Sequence, residues 1–62
     1  MSYFINITDH GAKIYLNVNQ INFVTSNRKG LAVIFDNQGN EFRLDEDYQV
    51  FVERLKNILG VN

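Results

Sequence analysis

The sequence contains no cysteine, no proline and no tryptophan. Without cysteine there is no disulfide and no thiolate metal site to hold a small chain together. Without proline, nothing in the chain imposes a slow peptide-bond isomerisation on folding. No charge of one sign dominates, since six Lys and Arg stand against seven Asp and Glu for a net charge of −1. The isoelectric point of about 5.6 disfavours a protein that tracks a nucleic-acid backbone, because such proteins show a basic stripe or a high isoelectric point. Long apolar runs are missing as well. The longest covers residues 31–35, whereas a membrane-spanning helix needs about 20 apolar residues in succession. The start, Met1-Ser2-Tyr3-Phe4, has neither a basic region nor an apolar stretch, so the expectation is a chain without a secretion signal and a cytoplasmic location by default.

What is present is a chain of 62 residues, 45% hydrophobic and 21% charged, which is apolar enough to fold as one small domain. A domain of this size buries about 60% of the surface its unfolded chain exposes, which leaves it marginal by itself. With no covalent or metal staple, association with another chain is the remaining way to bury more. The nine asparagines suit turns and left-handed backbone positions.

Alternating and β-branched segments predict strands over residues 3–8, 13–17, 21–26, 31–36 and 41–44. Between them lie short polar connections: Asp9-His10-Gly11, the Asn17 to Gln20 corner, Asn27-Arg28-Lys29-Gly30 and Asn37-Gln38-Gly39-Asn40. Connections this short favour antiparallel neighbours. The period then changes. Tyr48, Phe51, Val52, Leu55, Ile58 and Leu59 fall on one stripe of a 3.6-residue helix, predicted over residues 46–59. Asp45 is positioned as its N-cap and Gly60 as its C-terminal stop. The fold class expected is α+β: an antiparallel β-meander of four or five strands with one C-terminal helix packed on a single face.

Side-chain parity then becomes the informative quantity. If Ile5, Ile7, Ile14, Leu16, Phe23, Leu31, Val33, Phe35, Phe42 and Leu44 point at the helix, the other face still carries Phe4, Tyr15, Val24, Ala32 and Ile34. A fully wetted face would be polar there. Phe4, Tyr15, Val24 and Ile34 are therefore the expected self-association residues, with a second copy of the chain as the simplest cover.

No group of residues carries a recognisable chemistry. His10 is the only histidine, and the hydroxyls that could partner it are Ser2, Ser26, Thr8 and Thr25, none in a nucleophile context. One histidine without cysteine cannot fill a zinc site. The oxygen-rich Asp36 to Glu41 segment departs from the calcium-loop pattern, with Gln38 third and Gly39 fourth. Asp45, Glu46 and Asp47 are explained by helix capping. Arg28 and Lys29, in the tip formed by Asn27, Arg28, Lys29 and Gly30, are the expected contact for an outside partner or ligand. The expectation is no enzyme, no metal and no cofactor.

The string Gly11-Ala12-Lys13-Ile14-Tyr15-Leu16-Asn17, followed by Ile21 and Val24, then Asp36-Asn37-Gln38-Gly39 and the terminal helix, resembles the small flagellar proteins called FlbD or SwrD. It differs at Val18, where those proteins carry proline, and at Gln38, which lengthens their Asn-Gly turn. Short phage and prophage products are similar in layout. The resemblance implies a cytoplasmic accessory protein without enzymatic activity and transfers no site residues. The function expected is a small non-catalytic protein-binding module, homo-oligomeric, that regulates or inhibits a larger bacterial or phage partner. The second reading is an oligomeric sponge for a small anionic nucleotide, lined by Tyr15, Arg28 and Lys29. A weak nucleic-acid binder is third.

Overall fold

The computed structural model describes residues 3–60 and places them in five antiparallel strands and one helix. Strands β1 (Phe4–Asp9) and β2 (Ala12–Asn17) form a hairpin closed by the Asp9–Ala12 pair. Its two central residues, His10 at φ 49° and Gly11 at φ 86°, are both left-handed. That is the type I′ geometry whose twist matches the flanking strands, and it is why a glycine stands second in this turn. A single 3-10 turn, Val18–Gln20, leads to β3 (Ile21–Ser26), β4 (Leu31–Asp36) and β5 (Glu41–Asp47), and then to α1 (Tyr48–Leu59).

The α+β class, the antiparallel pairing and the C-terminal helix are those expected from the sequence. The neighbour order, β2-β1-β5-β4-β3, departs from a strictly sequential meander at one point: β5 lies beside β1. The two edge strands are thus β2 and β3, yet only four Cα steps separate Asn17 from Ile21. Four strand spacings of a flat sheet cover about 19 Å, while four Cα steps reach at most about 15 Å. The sheet must therefore curl towards a barrel. Its inner side gathers Ile5, Ile7, Leu16, Val18, Ala32, Ile34, Leu44 and the helix residue Phe51 into one buried cluster, so a single short helix suffices to close it.

Curling also explains why the expected parity holds for only half of the sheet. Ile5, Ile7, Leu16 and Leu44 are buried as anticipated. In β3 and β4 the core cluster takes Val24, Ala32 and Ile34 instead, while Val33, expected to point inward, is buried outside that cluster. The β3–β4 register slips between Ile21 and Phe23, so Asn22 is an extra, exposed residue, and both Ile21 and Val24 pack against the core. Ile34, paired with Val24, is fully buried, whereas Phe23 is 51% exposed. A bulge of this kind shifts every later side chain of its own strand to the opposite face, which turns Val24 inward, and in β4 the pairing with Phe42, itself packed on the core, places Ile34 on the same side. Val24 and Ile34 therefore leave the expected association surface and join the core.

The helix begins two residues later than predicted. Asp47, not Asp45, is its N-cap, with a carboxylate that accepts the Gln49 and Val50 N–H groups at 2.9 and 3.3 Å. Strand pairing runs on to Asp47 opposite Leu31, and the Tyr48 N–H donates to the Gly30 carbonyl at 2.8 Å. Asp45 and Asp47 carry the same capping side chain, and the strand's own hydrogen bonds selected the second. At the other end Gly60, at φ 72°, donates to the Asn57 and Lys56 carbonyls.

Candidate functional site

Three surfaces concentrate chemistry. The first is the outer face of the sheet, away from the helix. There Phe4 stacks on Tyr15 with ring centroids 4.9 Å apart, and Phe23 stacks on Phe35 at 4.7 Å. Tyr15 is 67% exposed and Phe4 40%. Both pairs arise from register: Asn6 opposes Tyr15 beside Phe4, and Phe23 opposes Phe35 directly. Of the four residues expected here, the structure brings Phe4 and Tyr15 together and removes Val24 and Ile34. Phe23 and Phe35 take their place, because the bulge at Asn22 was not readable from alternation alone.

The second surface is an open groove of about 430 Å³ where the β1–β2 turn, the β3–β4 turn and β5 meet. His10, Arg28, Lys29, Arg43 and Asp45 line it above Leu31 and Leu44. The tip that carries Arg28 and Lys29 is held from within. The Asn27 Oδ1 accepts the Lys29 N–H at 2.9 Å and the Leu31 N–H at 3.0 Å, and the Asn27 carbonyl accepts from Gly30 at 3.0 Å. Asn27 and Gly30 thus shape the turn, leaving Arg28 and Lys29 as its outward groups. Tyr15, grouped with those cations by the second reading, is not part of the groove. His10 and Arg43 are, although sequence reasoning assigned them no role. Arg43 binds Glu41, and that hydrogen bond, with the carboxylate's charge, raises the guanidinium pKa above its ordinary value. The His10 Nδ1 lies 2.5 Å from the Asp9 carboxylate.

The third is a seam. Strands β1 and β5 share one bridge, Asp9 with Leu44, and beyond it they splay around a cleft of about 260 Å³. Arg54 of α1 fills that cleft. Its Nη2 donates to the Asn6 carbonyl and to Glu46 Oε1, and its Nε to Glu46 Oε2, each at 2.8 Å. The guanidinium also sits 5.6 Å from the Phe51 ring centroid. A planar fork that binds a carboxylate through two nitrogens and a strand carbonyl through one is a structural clasp.

The acidic candidates are used elsewhere. Asp36 Oδ1 accepts the Gln38 and Asn40 N–H groups at 2.9 and 2.8 Å, and Oδ2 accepts the Asn40 side-chain amide at 2.9 Å. These bonds, the Asn40 side chain foremost, hold its carboxyl below the usual carboxylate range against the opposing effect of burial. Among the described residues no group of three His, Cys, Asp or Glu side chains is placed to hold a metal ion, and no helix is long and apolar enough to cross a membrane. Ser2 lies outside the described residues. Compared with known proteins, the chain matches no family model, no curated protein and no solved structure.

Proposed function

We propose that this chain is a non-catalytic interaction module that self-associates through the outer face of its sheet and acts as an accessory, regulatory or inhibitory subunit of a larger protein. The observation that carries this reading is the exposure of Phe4, Tyr15 and Phe23, stacked in two aromatic pairs on the outer face. Aromatic rings are the largest apolar payload a residue can carry, and they dominate interface energetics when a partner covers them. A second copy fits because an isologous contact uses the same patch twice, and a net charge of −1 sets no strong repulsion between copies. The non-catalytic part rests on occupation: Asp36 serves a turn, Asp47 a cap, Glu46 an ion pair and Asp9 a hydrogen bond with His10. A cytoplasmic role beside a motility or defence protein of a bacterium or phage belongs to the same proposal, supported by the layout resembling FlbD and SwrD.

Light scattering on the purified chain and on Tyr15→Glu and Phe23→Glu tests it. The wild type is expected at two or more times the 7.2 kDa chain mass, and both variants at the monomer mass with circular dichroism unchanged. A wild type that stays monomeric at millimolar concentration overturns self-association. Ile34→Glu is not a usable probe, since a carboxylate at a fully buried position breaks the core instead.

A further inference from the structure

We propose that the groove between the two hairpin turns and β5 binds the phosphate group of a small phosphorylated ligand. Its polar lining comes from three separate stretches of chain. Arg28 and Lys29 sit on the β3–β4 turn, Arg43 on β5, and His10 on the β1–β2 turn. Arg43 reaches the turn through the β4–β5 pairing, and the placement of β5 beside β1 adds His10.

Arg28, Lys29 and Arg43 line the groove beside one carboxylate, Asp45. Two further acids adjoin it, Glu41 bound to Arg43 and Asp9 beside His10 and close enough to act on Arg43, so the positive groups left for a ligand are those of the β3–β4 turn. Of the three cations, Arg43 already binds Glu41, while among the described residues no ion pair holds Arg28 or Lys29. A guanidinium offers paired donors that match a phosphate, and an ammonium adds a point charge.

Shape agrees with that charge. About 430 Å³ falls within the range of small-molecule sites, roughly 300–1,000 Å³. Leu31 and Leu44 supply an apolar floor, which lowers the local dielectric and strengthens attraction to an anion. Because Asn27 already braces the tip, a ligand orders little further backbone, and that removes one of the main costs of binding.

Melting temperature and titration calorimetry with inorganic phosphate, pyrophosphate and ADP, each against sodium chloride at matched ionic strength, test the proposal. ADP and pyrophosphate are expected to raise the melting temperature by several degrees at millimolar concentration, with inorganic phosphate weaker, because a ligand that binds only the folded state shifts a small domain's transition strongly. Arg28→Ala with Lys29→Ala, both on exposed positions of the braced turn, should lower the affinity at least about ten-fold and remove the shift. Lys56→Ala, on the helix and outside the groove, should leave it unchanged. The proposal fails if none of the probes shifts the transition, or if the shift survives the double substitution. It also fails if only a single-stranded oligonucleotide binds, which would make the surface a nucleic-acid contact.

Discussion

The two faces of the sheet carry comparable apolar side chains and meet opposite fates. On the inner face Ile5, Ala32, Ile34 and Phe51 are almost completely enclosed; on the outer face Phe4, Tyr15 and Phe23 remain 40–67% exposed. The outer rings are not merely uncovered, because each is stacked on a neighbour, which withdraws part of its surface from water without a third layer. Curvature makes the difference. A curled sheet shortens its inner circumference and lets one helix seal it, while the outer circumference widens beyond what any element of this chain can reach.

The strongest way to break that comparison is to make the same deletion on both faces. Phe51→Ala should cost about 3–5 kcal/mol, the usual range for a buried aromatic. Total stability for 62 residues is roughly 3–9 kcal/mol at about 0.05–0.15 kcal/mol per residue, so the variant should be largely unfolded at room temperature. Phe23→Ala removes an equal number of atoms from a half-exposed site and should cost about 1 kcal/mol at a concentration where the chain is monomeric. Urea denaturation followed by circular dichroism reads both. Equal losses would mean that the outer face is also core.

This asymmetry also marks how far the sequence could be read. The helix, its Gly60 stop and all four turns were legible because each rests on local chemistry: a 3.6-residue stripe, a left-handed glycine, an Asx-type carboxylate or amide. Parity in β4 was not. Residues 31–35 are apolar at every position, so alternation assigns no inner face, and the register that decides it, Ile34 opposite Phe42, belongs to the pairing with β5. The helix start failed for a related reason, since Asp45 and Asp47 are alike as caps until the pairing of Leu31 with Asp47 is known. Of the groove, Arg28 and Lys29 were visible as a charged tip. His10 and Arg43 were not: Arg43 arrives through its pairing with Val33 across the β4–β5 hairpin, and only the non-sequential β1–β5 contact brings His10 there.

That contact is the weak point of the inner face, and Arg54 is what holds it. Arg54→Met keeps an apolar stem over Phe51 but deletes the donors to Asn6 and Glu46. Because both partners of the ion pair are partly solvated, the global loss should be about 1 kcal/mol. The local effect should be larger: amide exchange in Phe4–Asp9 should accelerate more than in Leu31–Asp36, as the hairpin and the three-stranded unit separate at their single bridge. Uniform acceleration across both units would show that the seam opens only with global unfolding.

The third effect is narrower still, confined to one end of the pH scale, and it separates a turn from a core. Asp36 is buried at the end of β4 and its carboxylate accepts three hydrogen bonds within the turn. Its pKa in the fold is lowered from an ordinary value of about 3.9. A depressed folded-state pKa means that the ionised form is favoured by folding, so the stabilisation is complete above the unfolded value and disappears as pH falls through the folded one. The melting temperatures of wild type and Asp36→Asn should therefore differ most near neutrality and converge in acid. Phe23→Ala, which removes no titrating group and leaves the chain folded, should instead stay displaced from wild type by a similar amount at every pH. If Asp36→Asn keeps a constant offset down to the acid limb, the turn is held by shape alone and its carboxylate charge contributes nothing.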